Sequence, residues 1–219
     1  MLELKNVSYS YIGKNVRVDA VKDVSYRFES GLFYTLMGPS GSGKSTLMQL
    51  INGLAKPTRG EICYGGRPIG EISPKEYRLK YVSLIHQNFC LLPFMTVMEN
   101  VTYPCGLLKM PKEQAVRLAK QQLEALGLDE SYFRRMPAML SGGEQQRVAI
   151  ARALCTGAPL ITADEPTGNL DSANAKTIAE IFRRITQKDG KTVIMVTHDP
   201  SMAEYADVVM RMQDGSIVG

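Results

Sequence analysis

The sequence predicts an α/β protein. A mostly parallel sheet is covered by helices on both faces, an antiparallel β part precedes it, and a helical block is inserted between core strands. Three observations predict this. Short β-rich runs at Phe33–Met37, Tyr81–His86, Leu160–Ala163, Thr192–Thr197 and Val208–Met212 are separated by stretches of helical spacing; such alternation implies strands buried on both faces. Leu2, Leu4, Val7, Tyr9 and Tyr11 alternate with polar residues, which marks a half-exposed strand ahead of that core. A glycine-rich loop, Gly38 to Gly43, follows the first core strand and leads into a helix.

Element by element, Val21–Phe28 repeats the N-terminal alternation and predicts a second half-exposed strand. Ser45–Leu54 reads as a helix ended by Gly53 and Pro57. Glu61–Tyr64, closed by Gly65-Gly66, reads as one arm of a hairpin. Over Pro111–Gly127, Ala115, Leu118, Ala119, Gln122, Leu123 and Leu126 fall at helical spacing, with proline near the start and glycine at the end. Ser141–Leu154 is a second helix of this block and Ala173–Gln187 a helix of the core. The expected organisation is one domain over 1–219, with a core at 1–88 and 151–219 and a helical lobe at 89–150.

Composition supports a packed core, at 44% hydrophobic and 22% charged. Lys and Arg exceed Asp and Glu by 26 to 22, a mild surplus with no polybasic tail, so no nucleic-acid partner is expected. Cys63, Cys90, Cys105 and Cys155 lack the close spacing of a metal or redox motif and read as reduced thiols. The opening Met1-Leu-Glu-Leu-Lys reads as a strand rather than a signal peptide. No stretch approaches the roughly 20 apolar residues of a bilayer-spanning helix. Docking on a membrane protein is compatible with all of this.

Two segments carry chemistry. Gly38-Pro39-Ser40-Gly41-Ser42-Gly43-Lys44-Ser45-Thr46 matches the P-loop pattern in full, with strand before and helix after. Its glycines let backbone N–H groups turn toward phosphate, and the helix start adds a positive dipole end. Lys44 is placed for the β- and γ-phosphates of ATP and Ser45 for Mg²⁺. Leu160-Ile-Thr-Ala-Asp164-Glu165 is a strand ending in two carboxylates. Asp164 suits the Mg²⁺ shell and Glu165 a general base that polarises water. Thr162 departs from an all-apolar strand but is a good strand former.

Leu140-Ser141-Gly142-Gly143-Glu144-Gln-Gln-Arg147-Val-Ala-Ile-Ala-Arg-Ala resembles the signature of the ATP-binding-cassette (ABC) ATPases, and residues 2–218 resemble one such domain from end to end. The implied fold is a RecA-like P-loop core with an N-terminal antiparallel β subdomain and an inserted α-helical subdomain. Physically, Ser141-x-x-Glu144 is a capping box that leaves glycine N–H groups and a hydroxyl at a positive helix end. The resemblance implies that Ser141 and Gly143 contact the γ-phosphate held by a second copy, in a head-to-tail dimer sandwiching two ATPs. It further implies Tyr11 as the aromatic that stacks on adenine, although a strand-face tyrosine reads equally there and Tyr9 is close by. Gln87 matches the glutamine that reaches Mg²⁺ and water, Asn169-Leu170-Asp171 the loop that crosses the dimer interface, and His198 the switch histidine. His86 stands where the family often has an aromatic, and reads as a structural histidine.

Asn88–Asn100 and Asp164-Glu-Pro-Thr-Gly-Asn-Leu-Asp171 resemble the MacB/LolD/FtsE branch. The resemblance implies an ATPase subunit at the cytoplasmic face of the membrane, with a separate MacB- or FtsX-like permease, energising export or extraction of a lipoprotein, peptide or drug-like substrate. The alternative within the branch is an ATPase switch that signals across the membrane without transport. A DNA-repair or translation ATPase is disfavoured by the single P-loop and the short distance from Gln87 to Ser141, and a nucleotide kinase by Ser141-Gly-Gly-Glu144. Phe89, Leu91, Leu92, Phe94 and Met95 either line a groove for a permease helix or pack the helical lobe.

Overall fold

The computed structural model describes residues 1–14 and 16–218. The chain opens with two long strands, β1 (Leu2–Ile12) and β2 (Arg17–Phe28), paired antiparallel. β3 (Phe33–Met37), the glycine loop and helix α1 (Lys44–Ile51) follow. β4 (Arg59–Tyr64) and β5 (Arg67–Pro68) form the hairpin turned by Gly65-Gly66. Helix α2 (Pro74–Lys80) leads to β6 (Val82–His86). Three helices come next: α3 (Val97–Leu107), α4 (Lys112–Ala125) and α5 (Gly142–Cys155). The core then resumes with β7 (Leu160–Asp164), α6 (Ser172–Asp189), β8 (Thr192–Val196), a 3₁₀ segment (Pro200–Tyr205), β9 (Val208–Gln213) and β10 (Ser216–Ile217).

Two sheets result. The smaller runs β2-β1-β4-β5 and is antiparallel; the larger runs β10-β9-β3-β8-β7-β6 and is parallel except for β10. Period-two alternation divides the larger sheet's side chains between two cores. Phe33, Ile161, Ala163, Val193 and Met195 face the helical layer with α3 to α6, whereas Tyr34, Leu36, Leu160, Ile194 and Val196 face α1 and the smaller sheet. One buried cluster therefore runs without a break from α3, α4 and α5 across that face of the sheet to α6. Parallel strands place the loops after β3, β6, β7 and β8 at one edge, where open α/β sheets bind ligands.

The structure adds elements that the residue pattern did not suggest. α3 has Pro104 in its interior, a residue that usually ends a helix. A complete capping box from Thr96 and Glu99 starts it, and burial of Val97, Val101 and Cys105 holds it. α2 is short and begins Ser73-Pro74, with Ser73 capping Glu76 N–H. α1 ends at Ile51, because Asn52 closes it and Gly53 turns left-handed at φ 62°. Thr162 is more than a tolerated strand former. Its buried hydroxyl donates to Asn52 Oδ1 at 2.8 Å, tying the end of α1 to the acidic strand.

Candidate active site

The loop from Gly38 to Gly43 wraps the N-terminus of α1. Gly38 and Gly43 have φ of 157° and 101°, and a β carbon at either would strike backbone: Met212 carbonyl for Gly38, Ala20 carbonyl for Gly43. Only glycine fits there. Gly43 caps α1 without a side-chain bond, and the first turn holds no acid. The unpaired N–H groups of that turn are thus free for an anion. Lys44 folds back over the loop, its Nζ donating to Gly38 O and Pro39 O, both at 2.8 Å, and lying 3.4 Å from Ser42 Oγ. A phosphate bound in the loop would compete with those carbonyls for the ammonium.

A cleft of about 610 Å³ opens above this loop. The loop lines it from below with Gly38, Ser40, Gly41, Gly43, Lys44, Ser45 and Thr46; Tyr11 lines one side and Glu165 with His198 another. Tyr11 is 44% exposed, its hydroxyl lies 3.2 Å from Thr46 Oγ1, and its ring meets Tyr9 edge-on with centroids 5.0 Å apart. Its ring is thus available in the cleft. Sequence reasoning missed the remaining wall, formed by Val18, Asp19, Ala20 and Lys22 of β2 and by Asp214-Gly215 at the β9–β10 turn. The Asp-Gly turn dipeptide was a legible signal.

At the C-terminal edge of the sheet, β6 pairs with β7 so that His86 stands opposite Asp164. Burial, then the charge of Glu165, pushes the Asp164 carboxyl up, while His86 and Lys44 oppose the shift. His86 is itself pushed down, chiefly by desolvation, although its side chain stands exposed at the strand end. Glu165 takes φ 47°, its N–H donates to Val196 O at 2.9 Å, and its Oε2 lies 2.9 Å from His198 Nδ1. The strained turn brings the predicted base and the predicted switch histidine into contact. Gln87 and Asp164 do not line the cleft. Gln87 instead faces the loop after β7, with Nε2 3.4 Å from Asn169 Oδ1 and within 2.8 Å of a β carbon built on Gly168.

The signature segment lies elsewhere. Ser141, Gly142, Gly143 and Glu144 are not among the residues lining the cleft. Ser141 N–H donates to Glu144 Oε2 at 2.7 Å and Ser141 Oγ accepts from Glu144 N–H at 3.3 Å, the expected capping box. Tyr132 hydroxyl holds the other Glu144 oxygen at 2.9 Å. The Ser141 N–H, first among these partners, holds the Glu144 carboxyl below its usual range. Gly142 lies against Leu170 and Asn169, and Gly143 against Asn174. Asp171 caps α6 by accepting from Asn174 N–H at 2.8 Å; that bond chiefly lowers its pKa. It too lies outside the cleft lining. The predicted residues therefore form two groups: P-loop, Tyr11, Glu165 and His198 around the cleft, and Ser141 to Glu144 packed on the 169–174 segment.

A glycine loop between β3 and α1, facing an acidic strand end, defines a P-loop nucleotide-binding protein. The family model for ABC transporters matches residues 21–168. An uncharacterized ABC transporter ATP-binding protein, YclH of Bacillus subtilis, is 39% identical over 216 residues, covering 99% of this chain and 95% of that protein. The macrolide export ATP-binding/permease protein MacB of Syntrophobacter fumaroxidans is 38% identical over 222 residues, 99% of this chain but 31% of that protein. The cassette MJ0796, solved as a dimer in a post-hydrolysis state bound to ADP and Pi, superposes with a TM-score of 0.91 at 36% identity, covering 100% of this chain and 97% of that one. The chain belongs to the ABC transporter family, as an ATP-binding subunit and ATPase.

Proposed function

We propose that two copies of this chain close head-to-tail over two ATP molecules and so drive a separate integral-membrane permease of MacB or FtsX type. The observation that carries this is the separation just described. The phosphate-facing helix start of α5 lies outside its own chain's cleft, so its free N–H groups need a nucleotide brought by another copy. That a cassette of 36% identity is dimeric with ADP and Pi bound supports the pairing of two copies. In the proposed dimer, Lys44 exchanges its two loop carbonyls for β- and γ-phosphate oxygens, and Tyr11 stacks on the base. Glu165, anchored by His198, orients the attacking water; Ser141 and Gly143 from the other copy hold the γ-phosphate.

Mg²⁺ fits the donor set. Ser45 hydroxyl, Gln87 amide oxygen and the Asp164 carboxyl are hard oxygen donors, and burial beside Glu165 leaves Asp164 short of positive charge. Among the described residues no group of three or more His, Cys, Asp or Glu forms a cage, which suits an ion that takes most of its ligands from phosphates and water. When bound, Mg²⁺ would neutralise negative charge on the β- and γ-phosphates.

The permease would sit on a groove of about 290 Å³ between α3 and β6, walled by Leu79, Leu84, Leu92, Tyr103, Pro104 and Leu107. Of the five residues proposed from sequence, Leu92 is in this wall, Leu91 packs against the helical core and Phe94 is 93% exposed. The occupant is a cytoplasmic helix of the permease. MacB relatives carry ATP-binding and permease parts on one chain, and none of the helices among the described residues here is long and apolar enough to cross a membrane. The chain then works as a peripheral subunit at the cytoplasmic face. The macrolide-export relatives support export of a drug-like substrate, while a peptide or lipoprotein substrate rests on the motif resemblance alone.

Glu165→Gln tests the sandwich. It keeps the shape at Glu165 and removes the base, so the variant should elute as a dimer with saturating ATP and as a monomer without it. A variant that fills with ATP yet stays monomeric, alone and with its permease, removes the head-to-tail reading.

A further inference from the structure

We infer that Arg152, near the end of α5, is a positioning residue for ATP hydrolysis that holds the Gln87–Cys90 segment in place. The inference rests on the assignment of Gln87 above. Phe89 and Cys90 both take left-handed φ, 58° and 48°, two successive non-glycine residues in a region that β carbons disfavour. Such a pair persists only where its surroundings hold it. Arg152 does so. Nη1 donates to Cys90 O at 2.7 Å and Nη2 to Phe89 O at 2.9 Å, so one planar fork spans two consecutive carbonyls. The side chain is half-buried at the groove, and both of its bonds go to backbone. A guanidinium spent on two carbonyls of a strained turn serves the geometry of that turn.

The turn directly follows Gln87. From the other side Asn169 holds the same segment: its Nδ2 donates to Gln87 O at 3.3 Å and Asn88 Oδ1 at 3.1 Å. Residues 87–90 are thus clamped between α5 and the loop after β7. Arg152 also forms part of the apolar groove wall beside Leu92, Tyr103 and Pro104. A side chain seated in that groove would touch the group that sets the direction of the chain after Gln87. Neither fact follows from sequence, because Arg152 reads there as an ordinary basic residue in the last turn of a helix.

A double-mutant cycle on steady-state ATPase activity tests this, using Arg152→Ala, Gln87→Ala and the double variant. If Arg152 acts through Gln87, Arg152→Ala lowers kcat by about ten- to a hundredfold with KM for ATP unchanged. The double variant is then no slower than Gln87→Ala alone. A purely structural loss would multiply with the Gln87 effect. Multiplicative losses, or an Arg152→Ala enzyme as fast as the parent, overturn the inference while leaving the Gln87 assignment intact. A Gln87→Ala enzyme with parental kcat instead removes the Gln87 assignment, and the Arg152 role with it. Arg152→Lys, which keeps the charge but not the fork, carries the same cycle if the alanine variant fails to fold, and should show the same non-additivity with a smaller loss.

Discussion

Gly143 separates packing from chemistry in one residue. A β carbon there would collide with Asn174 Oδ1 and stand 2.6 Å from its Cγ. Asn174 is not free to swing aside, since its Nδ2 donates to Asp171 Oδ2 at 2.7 Å while its own N–H is capped by the same carboxylate. Gly143→Ala must therefore either break the Nδ2 bond, a loss of about 0.5–1.5 kcal/mol, or shift the start of α5 as overpacking does, at about 1–3 kcal/mol. A destabilisation of roughly 1–3 kcal/mol corresponds to about 2–4 °C of melting temperature per kcal/mol in a chain of this size. Asn174→Ala removes Oδ1 and Cγ and leaves only Cβ, at a tight 3.3 Å from the new methyl. Alone it should be nearly neutral, because alanine's better helix propensity offsets the lost bond. The double variant should then recover the melting temperature in a calorimetric scan, a non-additive result. Its ATPase activity should stay low, since the proposed contact with the other copy's γ-phosphate needs a close backbone approach that any side chain at 143 hinders. Parental melting of Gly143→Ala would refute the packing; recovery of both stability and turnover in the double variant would refute the role toward phosphate.

Lys44→Ala should abolish hydrolysis and sharply weaken ATP binding measured by a fluorescent analogue; retained turnover would remove the P-loop assignment. Asp164→Asn should raise the melting temperature of the nucleotide-free protein at neutral pH while eliminating Mg²⁺-dependent turnover. The sign follows from the raised pKa of Asp164: its ionised form is penalised in the fold, so stability is lost as pH rises through the folded value, and asparagine escapes that loss. Below the ordinary carboxylate pKa both forms are neutral and the advantage should vanish in melts at acid pH; a constant offset at every pH would contradict it. Leu107→Glu, in the groove and 45% exposed, should release the chain from the membrane fraction of cells that make it while leaving the soluble ATPase rate unchanged. Undiminished membrane retention would put the permease elsewhere.

What was legible in the sequence was whatever local chemistry alone determines. The glycines at 38 and 43 are demanded by backbone collisions, so their spacing declared the loop. β7 and β8 are buried on both faces and read as continuous β-rich runs. The capping box at Ser141 is a four-residue device that is complete within its own helix turn. Helix α3 was missed although Thr96-x-x-Glu99 starts it with the same device, because Pro104 contradicts it locally and burial against α4 and α5 is needed to override that preference. The groove was half legible for the same reason: apolar residues after Gln87 were visible, but Leu79, Tyr103 and Leu107 join them only through packing.

The candidate site divides along the same line, and the division bears on how it works. Lys44, Ser45, Asp164 and Glu165 belong to segments whose role is set within a few residues, and each was readable. The contacts that connect those segments run between residues 62 to 82 positions apart: Arg152 to Phe89 and Cys90, and Asn169 to Gln87 and Asn88. With Gly142 lying against both Phe89 and Leu170, they join the loop after β6, the loop after β7 and the start of α5 into one packed unit. That unit borders the groove through Arg152 and carries Ser141–Gly143, the segment proposed to face another copy. The cleft residues, with Asp164 and Gln87 beside them and, as proposed, Ser141 and Gly143 of another copy, account for binding and splitting ATP. On the proposed reading, coupling that event to a membrane partner requires a part that reaches both the groove and the face offered to another copy, and this clamp, bordering the groove through Arg152 and packed against Gly142, is placed to do so.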